Sequence, residues 1–132
     1  MKERTDLVRG WLRKAASDLK AMDASLNAGA LDAACFHAQQ CVEKYLKAYL
    51  VHAGLDFPYT HNLTKLVEIC AGSDASFNSL ALLVAPLSPY AVELRYDAEF
   101  WPSQEATQEA RAAALAVKDF VLMLLPKTLV EG

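Results

Sequence analysis

The sequence predicts an all-α fold, an antiparallel up-and-down four-helix-type bundle with a short extra helix, in a single domain covering residues 1–132. Three observations carry this expectation. Hydrophobic residues make up 54% of the 132 positions, with only five Gly and five Pro, a balance that disfavours disorder and turn-rich β architectures. Much of the apolar content is Ala and Leu, the best apolar helix formers. Apolar residues recur at steps of three and four, and no strand-like alternation appears. A chain of this size buries roughly two-thirds of its unfolded surface, enough for a real core.

The first helix is expected from Thr5 to about Asn27, with Thr5 as N-cap and Asp6 in the first turn. Its stripe is Leu7, Trp11, Ala15, Met22 and Leu26, completed by Leu19, with Asn27 and Gly29 as the stop signal. The second helix runs from about Ala30 to His52 and closes at Gly54. Ala34, Ala38, Cys41, Tyr45, Ala48 and Tyr49 share one side, widened by Val42 and Leu46, so several neighbours should contact it. A linker, Leu55 to His61, contains Pro58 and cannot continue the helix. The third helix is short, Asn62 to Ala71, ended by Gly72 and Ser73. A fourth is expected from Ser76 to Ala85, with Phe77, Leu80, Val84 and Leu87 at helical steps and Pro86 and Pro89 as breakers. Tyr90 to Pro102 is the least regular and most aromatic stretch. The fifth helix starts at Ser103 as N-cap with Glu105 in its first turn, and Ala106, Ala110, Ala113, Val117, Phe120 and Leu124 form a heptad-like stripe.

The net charge of −3 comes without blocks of like charge, so no broad nucleic-acid surface is expected. Three cysteines, Cys35, Cys41 and Cys70, lack CxxC spacing and read as reduced, half-buried thiols of a cytoplasmic protein. The charged N-terminus does not read as a signal peptide. The longest apolar run, Leu80 to Leu87, falls far short of the roughly 20 residues of a membrane span. His37, His52 and His61 show no metal-ligand spacing, and neither a glycine-rich phosphate loop nor a nucleophile elbow is present. No cofactor is expected. His37 precedes Cys41 by four residues, a spacing that reads as packing rather than nucleophilic chemistry.

The candidate site lies on the second helix. Gln40, Glu43, Lys44 and Lys47 fall on one stripe opposite the main apolar face, and Phe36, Leu50 and Val51 intrude into it. One reading is a solvated face with local Glu–Lys pairs, each worth a few tenths of a kcal/mol. The other is a partly covered polar site for a phosphate or a partner's carboxylate. His61, just before the third helix, either caps that turn or meets a ligand at a helix N-terminus. Arg95 can clamp a phosphate with its planar fork or tie its loop to Glu43 or Asp18. Tyr96 beside it offers a ring.

Taken in order, these segments resemble the HEPN domain (higher eukaryotes and prokaryotes nucleotide-binding). The resemblance rests on Trp11 with Asp18-Leu19, on Phe36 to Ala48 with its Gln, Glu-Lys and Lys-Ala, on Thr60-His61-Asn62-Leu63, and on Leu94-Arg95-Tyr96. It covers nearly the whole chain. It implies an up-and-down bundle, often a homodimer, like the helical proteins that accompany minimal nucleotidyltransferases, sometimes as toxin–antitoxin pairs. It also implies that Gln40, Glu43, Lys44, Lys47, His61, Arg95 and Tyr96 occupy the family's marked positions for nucleotide or substrate binding. In one respect the chain departs from the pattern. Ribonuclease members carry an Arg followed after four to six residues by His, whereas here no histidine follows Arg95 and the last is His61. A ribonuclease lacking that group loses a role worth roughly 10²–10⁴ in rate.

Three functions follow as expectations. The first is a non-catalytic module binding an ATP-like nucleotide or a substrate, partner to a nucleotidyltransferase. The second is a ribonuclease toxin with a degenerate site using His61. The third is a pure protein-interaction module. The aromatic segment Tyr90 to Trp101 and the apolar intruders on the second helix also suggest a homodimer.

Overall fold

The structure is a computed structural model that describes residues 3–131, apart from the side chains of Arg95 and Glu131. All its regular elements are helical among the described residues. They are α1 (Arg4–Asn27), α2 (Leu31–Ala53), α3 (Leu63–Ser73), a 3-10 segment (Ala75–Leu80), α4 (Ala81–Val84), a second 3-10 segment (Ala85–Ala91), α5 (Glu93–Tyr96), α6 (Gln104–Leu124) and α7 (Lys127–Glu131).

Helix α1 starts one residue earlier than its composition suggests. The Glu3 carbonyl accepts from the backbone N–H groups of Asp6 and Leu7, both at 3.1 Å, so Thr5 lies inside the first turn and caps nothing. Val8, fully buried, takes the core position expected of Leu7, which is 44% exposed. Helix α2 ends as expected at Gly54, whose φ of 71° is left-handed. The Leu55 N–H reaches back to the Leu50 carbonyl at 2.9 Å, closing a Schellman turn. That positive φ is what calls for glycine here, and the Arg4 guanidinium lies over Gly54, 3.4 Å from where a Cβ would stand. That contact sets the start of α1 beside the end of α2, so the pair is antiparallel.

Asn62 caps α3 by accepting from the Lys65 N–H at 3.1 Å, and Ser88 Oγ accepts from the Leu63 N–H at 3.0 Å. The helix runs through Gly72 and stops where Asp74 turns extended. Asp74 then caps the next segment, accepting from Ser76 N at 3.0 Å and Ser76 Oγ at 2.6 Å. Two such hydrogen bonds hold its exposed carboxyl below the usual carboxylate range.

The expected fourth helix is instead a relay of 3-10 and α turns that continues past both prolines. Pro86 occupies the first turn of the second 3-10 segment, where its missing N–H has no partner to lose. Tight 3-10 turns, remade in short pieces, carry the chain through Pro89. The apolar spacing nevertheless holds, for Phe77, Leu80, Val84 and Leu87 are all buried. Phe77 packs on Tyr49 with ring centroids 4.5 Å apart, while Tyr90 at the far end lies by Cys35, so the relay runs antiparallel to α2.

Ser103 caps α6 as expected, accepting from the Ala106 N–H at 3.0 Å. Ala110, Ala113, Ala114 and Val117 bury a small-residue face against α2, and Cys35 Sγ meets Thr107 Oγ1 at 3.4 Å. Arg111 pairs with Asp23 at 2.8 Å, while Arg9 near the start of α1 donates to the Thr128 carbonyl at 3.1 Å. Helix α6 is therefore antiparallel to α1. The four strokes of the bundle are α1, α2, the 75–96 relay and α6, with α3 as the extra short helix. The three cysteines are free and fully buried rather than half-buried, and burial pushes Cys41 and Cys70 up to about 12.

Candidate functional site

Helix α2 has core on most of its circumference, and its remaining strip forms a valley between α1 and the 55–61 linker. The residues expected on one stripe do share it. What covers them comes from elsewhere in the chain.

Glu43 is the centre of one group. Its Oε2 accepts from Lys47 Nζ at 2.9 Å, and its Oε1 lies 2.8 Å from His61 Nδ1 and 3.2 Å from Gln39 Nε2. Burial pushes its carboxyl up, but hydrogen bonds from His61, Lys47 and Gln39 outweigh this and hold it below the usual range. An ionised carboxylate can only accept, so His61 presents its proton at Nδ1. Gln39, fully buried, also donates to the His61 carbonyl at 3.2 Å and accepts from Gln40 Nε2 at 2.7 Å. Three aromatic rings surround Lys47. Its Nζ lies 5.4 Å from the Trp11 centroid and 5.9 Å from those of Phe57 and Tyr59, within cation–π range.

The second group centres on Asp18 of α1. Its Oδ2 accepts from Lys44 Nζ at 2.5 Å and its Oδ1 lies 2.9 Å from His37 Nδ1. His37 therefore turns to α1 rather than to Cys41. The strip is balanced in charge, with two lysines each held by a carboxylate. Lys47 has 8% of its side chain exposed and Lys44 20%.

Of the expected site residues, Gln40, Glu43, Lys44, Lys47 and His61 come together. His61 links the linker to α2, and the capping role falls to Asn62. Tyr96 is 76% exposed on α5, whose neighbour Leu94 lines a shallow hollow with Asp32, Ala33 and Phe36 at the start of the same strip. The Arg95 side chain lies outside the described residues. Asp18 and Glu43, the acids considered for it, are engaged by other partners.

Sequence reasoning overlooked Gln39, the ring cage and the Asp18–His37 contact. A signal for Asp18 existed. It stands at the helical step between Ala15 and Met22, on the buried stripe, and is itself buried, whereas Leu19 lies partly exposed beside it. An acid on an apolar stripe calls for a basic partner. Among the described residues, no group of three or more His, Cys, Asp or Glu is placed to hold a metal. No described helix is long and apolar enough to cross a membrane.

No curated protein matches the chain significantly. The family model for the HEPN domain, however, matches residues 8–124. That span takes in both carboxylate groups, the linker over α2 and the whole bundle except the first turn of α1 and α7, and the chain belongs to the HEPN family.

Proposed function

We propose that this HEPN chain is a non-catalytic module that binds an ATP-like nucleotide or another substrate. It works in the cytoplasm as a homodimer and as the partner of a minimal nucleotidyltransferase, in a toxin–antitoxin-like pair. The observation that most supports this is the division of the α2 strip into a neutralised floor and a recognition rim. Glu43, Lys47 and Gln39 satisfy one another below the surface. Above them His61 is 43% exposed at its side chain, Tyr59 is 94% exposed and Gln40 is partly open. Exposed rings give a base a stacking face, and amide and imidazole groups read its edge. Lys44, the more open lysine, and Arg95 supply charge for phosphate, and Tyr96 a second ring. Lys47 shapes the floor and does not reach the ligand. The acidic metal ligands that nucleotidyl transfer needs would come from the partner.

Calorimetry tests this with ATP, other nucleotides and a minimal nucleotidyltransferase. Saturable heat is expected, with Gln40→Ala or Tyr59→Ala weakening nucleotide binding roughly tenfold. Absence of heat with every nucleotide and with the enzyme overturns the reading. Light scattering at micromolar concentration should give a dimer mass, and a monomer removes that part.

One observation favours a second reading, a degenerate-site ribonuclease. Glu43 orients His61 through Nδ1 and leaves Nε2 uncommitted among the described residues, as a carboxylate orients a histidine base. Degraded RNA on expression, abolished by His61→Ala, would support it, and intact RNA with normal growth would remove it.

A further inference from the structure

On the side of α1 turned away from Asp18 and Trp11, a second feature stands apart from the α2 strip. Arg9, Leu12, Arg13 and Ala16 recur at helical steps on one face. Helix α7 lies across from them, contributing Leu129 and Val130 to a groove of about 260 Å³. Its lining is mainly apolar, with the two arginines as its only charged groups among the described residues.

The arginines are not explained by packing alone. They stand four residues apart, a spacing at which like charges repel and weaken the helix. Arg13 has Arg9, Gly10, Ala16 and Ser17 at its neighbouring helical positions, so its own helix offers it no acid. Neither arginine pairs with a carboxylate among the described residues. Arg9 donates from Nη2 to the Thr128 carbonyl at 3.1 Å, which fixes its guanidinium against α7. Its Nε is buried and has no hydrogen-bond partner, alone in this among the buried side-chain nitrogens and oxygens of the described residues. A buried donor without an acceptor is costly, and more so on a charged group.

We infer that the α1–α7 groove is a binding site for a small amphipathic carboxylate, whose acid group pairs with the guanidinium groups of Arg9 and Arg13 and whose short hydrocarbon chain lies on Leu12, Ala16, Leu129 and Val130. Complementarity of charge at one end and of apolar surface along the other selects this class. Two arginines without a carboxylate call for an anion, the arginine fork suits a carboxylate, and the described lining offers nothing else polar to the rest of the ligand. The groove is smaller than a typical drug-sized pocket, which limits the chain to a short one. This site is independent of the α2 strip and of any nucleotide bound there.

The test uses the full chain, hexanoate as probe, and backbone amide NMR shifts at Arg9, Arg13, Leu129 and Val130. Saturable shifts are expected with hexanoate, and roughly tenfold weaker binding with hexan-1-ol, with acetate and in Arg13→Gln, the value of one charge-assisted hydrogen bond or of the lost hydrocarbon contact. Arg13 is exposed, so its variant keeps the fold; Arg9→Gln is read alongside, with its circular dichroism. Equal binding of hexan-1-ol makes the groove an apolar patch and overturns the inference. Equal binding of acetate makes it a simple anion site and does the same, as does full affinity in Arg13→Gln. Glu131 follows Val130 in the chain, so Glu131→Gln is a further control. A rise of tenfold or more in hexanoate affinity there would assign the arginines to the chain's own carboxylate, against the inference.

Discussion

Asp18 and Glu43 each meet one lysine Nζ and one histidine Nδ1, yet the two triads sit in different surroundings. The Asp18 group joins α2 to α1 and leaves Lys44 and His37 20% and 29% open. The Glu43 group joins α2 to the linker, hides both members of its ion pair and adds a buried glutamine and three rings. The same three kinds of group, a carboxylate, an ammonium and an imidazole, thus do different work. Where water still reaches the pair, its removal lets each partner rehydrate. Where water is shut out, the pair and its hydrogen bonds stand or fall together.

The largest expected effect follows from that difference. Glu43→Gln leaves the Lys47 ammonium buried without a counter-charge and should destabilise the fold by about 3–5 kcal/mol in urea unfolding. Glu43→Gln with Lys47→Met should recover at least half of that loss, because no orphaned charge remains. If Glu43→Gln costs no more than Asp18→Asn, the distinction between the two triads fails.

Acid sharpens the same comparison. The Glu43 carboxyl titrates lower in the folded protein than in the unfolded chain, so the unfolded chain takes up its proton first as pH falls. The stability Glu43 contributes is therefore complete above the ordinary carboxylate value and drains away as pH drops through its lowered folded value. The gap in unfolding free energy between wild type and Glu43→Gln should be widest near neutrality and narrow in that acid window. A gap independent of pH between neutrality and the acid limit would show that Glu43 acts by shape and not by charge.

How far the site was legible in the sequence depends on the range of its contacts. Gln40, Glu43, Lys44 and Lys47 share a face because helical steps place them there, and the Glu43–Lys47 pair is an i,i+4 contact. Ser103 and Gly54 were readable for the same reason, since caps are local chemistry. The cover over the stripe was not. Phe57, Tyr59 and His61 reach α2 only because the linker folds back along it, and no periodicity encodes that path. Lys44 finds its acid 26 residues away, in preference to any neighbour on α2. The 75–96 relay shows the opposite division. Its apolar spacing correctly marked the buried residues, but its prolines concealed a chain that changes helix type instead of stopping.

Asp18→Asn is the milder counterpart of the first substitution. Lys44 keeps access to water, so the cost should be about 1–2 kcal/mol, within the range for a lost charge-assisted hydrogen bond. Its pairing with Glu43→Gln should be close to additive if the two triads are separate units, measured as a double-mutant cycle. A coupling above about 1 kcal/mol would merge them into one network.

The smallest stability effect is expected where the ring cage meets solvent. Tyr59 lies 5.9 Å from Lys47 Nζ, but its side chain is almost wholly in water. An exposed cation–π contact is worth about 0.5–1 kcal/mol, so Tyr59→Ala should shift stability by less than about 1 kcal/mol. Trp11, nearer at 5.4 Å and packed against the core, is the ring that encloses Lys47. Truncating Trp11 should therefore cost more than truncating Tyr59, because a packed indole also gives up buried area. As a member of the recognition rim, Tyr59 should on removal weaken nucleotide binding while the unfolding curve barely moves. Equal losses in both measurements would return Tyr59 to the floor of the strip and leave His61 and Gln40 as the rim.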